Sequence, residues 1–406
     1  MTAWLAFVES NTSGTGRLFA QAAIAEGFRP ILLTNDPSRY AYAAEDGIDV
    51  AIVNTRDETA LLTQCRRLSS EAALAGVTTT SEYFVVTAAD LAQTFDLPAP
   101  SPAALRDCRD KRKQRARLYK AGVSVPMFRA VGSARAAVAA AGEFGLPVVL
   151  KTAGGSGSVG VKLCESKTEV AAHATTLLRQ RLNERGLAVA RQILVESVAD
   201  GPEYSVETFN REVIGITRKL LGPLPFFVEV GHDYPAVLPS DTEAAIRQTA
   251  LRALDALGLG WGPAHIELRL GASGPTIIEV NPRLAGGFIP ELLRLSQGIS
   301  LISETIKLVV GRQPDLRIRP KGYSSIRFLI PPREGVLKGI KGVEESRRIP
   351  GVIDLKLYAK GGDTLRLRGD FRDRVGHVVA CADTPEAARV AAESAHTAIR
   401  LTIQPQ

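Results

Sequence analysis

No stretch of this 406-residue chain approaches the roughly 20 uninterrupted apolar residues that a membrane-crossing helix requires. Cysteine is scarce: Cys65, Cys108, Cys164 and Cys381 lie far apart and form no CxxC pair, which argues against a disulfide framework or a thiolate zinc site. They read instead as reduced, mostly buried thiols of a cytoplasmic protein. The opening MTAWLAFVESN has no basic stretch and reaches an acid at Glu9, so it reads as a strand rather than a secretion signal. No GxGxxG follows that strand, leaving a dinucleotide-binding unit unsupported. Internal repeats, low-complexity segments and a persuasive Ser-His-Asp or Cys-His arrangement are also missing.

What is present is an ordinary globular composition, with 45% apolar and 23% charged residues over a length that suits two to four structural units. The net charge of +7 fits nucleic acid or small anionic substrates equally well. Residues 1–105 alternate short strands (4–9, 30–35, 50–54, 76–80) with helical segments (15–27, 57–73, 82–95), which predicts a small parallel sheet in a Rossmann-like α/β unit. The Pro-rich 97–105 marks a boundary. A second unit, 106–200, opens on a basic helix over 106–122, continues through a strand at 146–151, and reaches the loop TAGGSGSVG (152–160). A third, 201–312, holds strands at 204–209 and 211–221, a helix at 241–258 and two further strands. Residues 313–406 alternate strands with a final Ala-rich helix over 385–399 and complete an α+β unit.

The two strands AHIELRL (264–270) and TIIEVN (276–281) flank GASGP, which is turn chemistry. A hairpin centred on Ser273 sets Glu267 opposite Glu279, with Cβ atoms about 5 Å apart. Facing acids repel, so the pair needs a cation or a proton. With Asn281 on the same face, two carboxylates and an amide oxygen suit Mg²⁺ (or Mn²⁺), a hard cation that completes its shell with water and phosphates. An exposed strand pair whose acids face water is the alternative. His265 borders that site across from Asn281, in a packing or supporting role.

In the glycine loop, Gly154, Gly155, Ser156, Gly157 and Ser158 can turn backbone N–H groups toward phosphate oxygens, and Lys151 adds a point charge. A common Gly-rich turn is the competing reading. Lys111 sits in a charge run from Arg106 to Lys120 that is mostly a solvated helix face. Glu196, Glu203 and Glu207 follow the loop, and acids there can accept from ribose hydroxyls or an adenine amino group. Glu229 and His232 lie close together near a turn.

In this order the residues resemble the ATP-grasp superfamily, over nearly the whole chain. The resemblance implies ATP held between two α+β subdomains, the flexible one (106–200) acting as a glycine-loop lid. Lys111 and Lys151 then look like the phosphate-contacting lysines, Glu196 and the backbone around Val198 like the adenine-side hinge, and Glu203 like the ribose acid. Glu267, Glu279 and Asn281 look like the metal ligands, with Arg283 at the transferred phosphoryl group. Within the superfamily, NPRLAGGFIPEL (281–292), FVEVGH (227–232) and TSEYFVVTAADLA (80–92) look most like L-amino acid ligases, which join an acid and an amine through an acyl phosphate. By similarity Glu229, His232, Arg283, Gly286 and Gly287 line the carboxyl-activation pocket. By the same similarity Glu82 would hold the first substrate's amino group, and Gly287 would leave room for more than the smallest amino acid. Dimers are common among such enzymes, so the resemblance leaves a homodimer open, and no segment of the sequence decides it; nucleic acid and membrane partners are not expected.

Two other readings remain open. The last ninety residues, with RDRVGHVVA (372–380), resemble a biotin carboxylase-like or purine-pathway branch, although NPRLAGG replaces the longer motif of a biotin carboxylase. A non-catalytic ATP- or RNA-binding protein has the basic run as its support, against a complete phosphoryl-transfer set.

Overall fold

The structure, a computed structural model, describes residues 2–12 and 14–405. Four parallel strands form the N-terminal sheet in the order Asp49–Ile52, Arg29–Thr34, Trp4–Val8, Leu74–Thr78. Their carboxyl ends carry Glu9, Asn35 and Thr79 to one edge, where open α/β sheets bind ligands. No helix among the described residues is long and apolar enough to cross a membrane. Cys65, Cys108 and Cys164 are buried free thiols and Cys381 is half-buried.

A four-stranded antiparallel sheet follows, ordered Phe128–Val131, Ile193–Ser197, Val148–Thr152, Lys162–Cys164. The basic run is not one helix. Helices Pro102–Arg109 and Lys111–Lys120 meet at Asp110, whose carboxylate caps the second by accepting from the Arg112 amide at 3.0 Å. The supposed linker 97–105 therefore ends inside the first helix, which Ser101 caps with Pro102 in its first turn. Cys108 and Leu118 of this pair pack into the same core cluster as Val206, Ile266 and Leu254. A lid beginning at 106 is thus drawn too early: the helix pair packs on the large sheet, and the lid sheet starts at Phe128.

The large sheet has eight antiparallel strands, ordered Gly274–Asn281, Pro263–Gly271, Glu203–Phe209, Glu212–Leu221, Glu229–Tyr234, Tyr323–Leu329, Gly376–Ala382, Val352–Leu357. Residues beyond 313 thus extend the sheet that carries the acids. Alternation along its strands sorts the side chains. Tyr204, Val206, Ile266, Leu268 and Val280 enter the apolar core beneath helix Ser240–Leu257. Glu203, Ser205, Glu207, Lys219, His265, Glu267, Glu279 and Asn281 occupy the opposite face, where polar side chains replace a core. Leu5, Phe7 and Phe19 of the N-terminal unit share one buried cluster with Leu284, Ile289 and Phe328, which fixes that unit beside the polar face.

Candidate active site

The N-terminal sheet, the lid and the polar face of the large sheet enclose a cleft of about 720 Å³. At its floor the hairpin register is the expected one, Glu267 opposite Glu279 and His265 opposite Asn281. Charges compensate the paired acids. Glu279 meets the Lys111 ammonium at 2.9 Å, and Glu267 meets Lys219 at 2.6 Å and His265 Nε2 at 3.0 Å. Burial alone would raise the Glu267 carboxyl, but Lys219 and His265 hold it well below the usual carboxylate range. Burial likewise opposes a charged His265, yet Glu207 at 2.8 Å and Glu267 outweigh it and raise the imidazole to about 9.

One end of the Asn281 amide lies 3.0 Å from Glu279 Oε1 and 3.2 Å from Glu82 Oε1. As the NH₂ end it donates to both. As the oxygen end it pairs with Glu279 at a spacing that matches the roughly 3 Å edge of an octahedral shell with metal–oxygen bonds of about 2.1 Å. The donor set therefore fits a hard divalent cation. Among the described residues no three His, Cys, Asp or Glu side chains form a ready cage, so such an ion takes much of its shell from phosphates and water.

The lid contributes Lys151, whose ammonium contacts Glu196 at 2.6 Å, while Arg115 takes the other Glu196 oxygen at 2.7 Å. Burial first, and Arg115 second, lower Lys151 to about 8. Glu196 is held below its ordinary value, because the two cations outweigh its burial. Its carboxylate is engaged on both oxygens, and Glu196 is among the residues that line the cleft. Val198 lines it as well. Lys111 does not: its ammonium is tied to Glu279 and to the Gly155 carbonyl at 2.6 Å. In the glycine loop Ser156, Gly157 and Ser158 reach the wall, whereas Gly154 and Gly155 stand behind it. Gly155 is needed where it is, since a Cβ there would lie 2.3 Å from Thr152 Oγ1.

Ser156 Oγ donates to Glu82 at 2.6 Å, and Glu82 also binds the guanidinium groups of Arg109 and Arg283. Glu82 is thus a buried junction rather than an open acceptor for an amino group. Arg283 Nη1 donates to the Leu284 carbonyl at 2.8 Å, and its pKa is lowered by burial. His232 lies beneath the wall, not in it. Both ring nitrogens are buried without a hydrogen bond, its ring packs edge-on against Phe328, and burial lowers its pKa to about 3, so it is neutral. Gly286 and Gly287 line the cleft. A Cβ on Gly287, whose φ is +59°, would point at His232 Nε2 2.5 Å away, so the room this glycine leaves is taken by the histidine.

Comparisons with known proteins agree with this geometry. A family profile described as "ATP-grasp domain" matches residues 144–291, and one described as "L-amino acid ligase C-terminal domain 2" matches 327–404. The uncharacterized protein y4rH of Sinorhizobium fredii is 40% identical over 395 residues, covering 97% of this chain and 82% of y4rH. The chain belongs to the L-amino acid ligase family of ATP-grasp enzymes. Carnosine synthase 1 of Gallus gallus is 33% identical over 252 residues, 58% of this chain but 27% of the synthase. The solved L-amino acid ligase of Bacillus licheniformis has the same fold, with a TM-score of 0.84 at 22% identity and 99% coverage of both chains. The last ninety residues, likened above to a carboxylase branch, are therefore the ligase family's own C-terminal unit.

Two cations of this L-amino acid ligase escaped the reading of its sequence. Lys219 is buried at the meeting point of Glu203 at 2.9 Å, Glu229 at 2.7 Å and Glu267 at 2.6 Å. Burial opposes its charge, but the three carboxylates raise it well above the ordinary lysine value. The available signal was alternation, because Lys219 falls two residues after Thr217 on the strand paired with Glu203. Arg374 binds Glu229 at 2.6 Å and stacks its guanidinium 3.8 Å from the Phe328 ring centroid. It comes from the C-terminal unit, and no local pattern links it to residue 229.

Proposed function

We propose that this ligase phosphorylates the carboxylate of an amino acid with ATP and then joins the acyl group to an amine, forming a dipeptide or related amide. What carries the reading is Arg374. The C-terminal unit matched as an L-amino acid ligase domain reaches into the cleft and clamps Glu229 beside Gly286, Gly287 and Arg283. A carboxylate is a poor acyl donor. Transfer of the γ-phosphoryl group onto its oxygen gives an acyl phosphate and ADP; attack of the amine nitrogen on the acyl carbon then expels phosphate. The first step is mostly positioning and neutralisation of charge, which Lys151 and Arg283 at the cleft wall provide, while Lys111 stands behind them on Glu279 and the glycine loop. Glu267, Glu279 and Asn281 would hold Mg²⁺ or Mn²⁺, which when bound neutralises the phosphate oxygens. Glu203, which lines the cleft as Val198 does and meets Lys219 and Arg269, is read as the ribose-side acid. The glycine loop, fastened by Ser156 to Glu82 and by Ser158 Oγ to the Phe227 carbonyl at 3.0 Å, keeps water from the acyl phosphate.

Pairwise incubation of amino acids with ATP and Mg²⁺, read by phosphate release and product mass, is expected to give amide only where both partners are present. Glu279→Ala should fold normally and lose turnover at saturating Mg²⁺. Undiminished ligation by that variant, or phosphate release that answers to bicarbonate and biotin but to no amino acid, would sink the reading.

A further inference from the structure

The segment RDRVGHVVA supplies Arg374 to the cleft and, three residues on, His377, to which the reaction gives no part. His377 is fully buried on the strand Gly376–Ala382 and does not itself line the cleft. Its Nε2 donates to Asp354 Oδ2 at 2.9 Å, which leaves Nδ1 to accept from the Tyr358 hydroxyl. Both ring nitrogens are satisfied within the C-terminal unit, so the ring is oriented from two sides. What it faces is Phe288. The two ring centroids are 4.2 Å apart, with the planes tilted by 46°.

Phe288 does line the cleft. Its backbone is left-handed, with φ +64° and ψ 7°, directly after Gly287 at φ +59°. For a bulky side chain that conformation is costly, and such strain persists where the surroundings over-determine it, as they do at ligand clamps. The fixed His377 ring behind Phe288 supplies such a constraint. A Cβ on Gly287 would lie 3.6 Å from Glu229 Oε2, the oxygen that Arg374 binds, so Phe288 follows one residue from that clamp. Ile289 and Ile302 line the cleft with Phe288, and the three pack in one apolar cluster. Glu291, the acid of the same helix, is engaged by Arg294 through both carboxylate oxygens. A wall built this way receives carbon readily and offers little to a charge.

We propose that Phe288, held by His377 as its positioning residue, closes the side-chain end of the pocket for the amino acid being activated, so that this donor carries an apolar side chain. This rests on the ligase reading above and names the donor's class. Rates should be measured with alanine, leucine, phenylalanine, glutamate and lysine as donors against one fixed acceptor, with the order of residues in each product read by fragmentation in the mass spectrometer. The wild type, Phe288→Gly, His377→Ala and the double variant are compared.

The wild type is expected to use an apolar donor roughly tenfold or more better than glutamate or lysine, in kcat/KM. Phe288→Gly should fold, because glycine takes the left-handed backbone freely. It should lower kcat/KM for the best wild-type donor roughly tenfold to a hundredfold, mainly through KM, and raise the ratio of phenylalanine to alanine use, since the space of the ring is vacated. KM for ATP should stay within about twofold, as for a group that binds only the donor. His377→Ala should move the donor ratio in the same direction. The double variant should match Phe288→Gly alone, because His377 acts only through the ring it holds. Where His377→Ala does not fold, Tyr358→Phe, at a residue 45% exposed, removes one of the two bonds that orient the imidazole and should give a smaller shift of the same sign. Donor ratios in Phe288→Gly equal to those of the wild type, or charged donors used as well as apolar ones, would overturn the subsite while leaving the ligase intact. Losses that multiply in the double variant would overturn the part given to His377. Absence of ATP turnover with every amino-acid pair would overturn the ligase reading itself.

Discussion

Lys151 shows how burial makes a binding residue sensitive to pH. Its ammonium, lowered to about 8 by burial and by Arg115, starts to lose its proton just above neutrality. An unfolded lysine holds that proton to about 10.4, so over that interval rising pH favours the folded state through this group. ATP needs the charged form. Its phosphates should therefore draw a proton onto Lys151, and KM for ATP should climb above pH 8, approaching tenfold per unit. Calorimetry at pH 8.5 in two buffers of different ionisation enthalpy reads the proton directly; ATP binding without uptake would remove Lys151 from the phosphate site. Gly287 makes a second case. Its φ of +59° and the 2.5 Å approach to His232 leave no space for a side chain. Gly287→Ala should cost about 1–2 kcal/mol in backbone strain alone. It should lower Tm and impair use of the amino acid while nucleotide binding, followed by fluorescence titration, stays near normal.

At the scale of elements, the hairpin was the most legible part of the chain. Turn residues and alternation fix register together, and a slip of one position would have turned Glu267 and Glu279 away from the cleft. The helix pair 102–120 was less legible, because a run of basic residues hides a break. Asp110 makes that break, and its side chain both ends one helix and caps the next. Losing such a cap costs about 0.5–2 kcal/mol. It would also free the first residue of the second helix, Lys111, from its place beside Glu279. Asp110→Ala is thus expected to lower Tm by a few degrees and weaken ATP binding, whereas Asp110→Asn, which still caps, should restore both. Equal losses in the two variants would mean that the ion pair with Arg112, not the cap, sets the break. Lys219 and Arg374 were illegible for a different reason. Their partners lie on other strands, and pairing across a sheet is a property of topology rather than of any window of sequence.

Taken whole, the molecule brings its three units together at one carboxylate, beside the apolar cluster that joins the N-terminal unit to the large sheet. Glu82 comes from the N-terminal unit, Ser156 from the lid loop, Arg109 from the helix pair and Arg283 from the large sheet, and all four side chains meet. Burying two arginines around one acid lowers Arg109 to about 10, chiefly through desolvation, so removing the acid would leave cations without a counterion. The same junction holds the loop shut over the site where an acyl phosphate must outlive contact with water. Glu82→Gln keeps the shape and removes the charge. Its glycine loop should become more open to limited proteolysis within residues 152–160. Its ATP consumption should also uncouple, with phosphate released in excess of amide formed, because water now competes with the amine. Comparing phosphate with amide on the same sample separates this from a plain loss of activity, which lowers both in proportion. A ratio unchanged from wild type, with protection of the loop intact, would mean that the lid is held by its other contacts, among them Ser158 at the Phe227 carbonyl, Phe371 at Gly157 and the Leu163 amide at the Pro225 carbonyl.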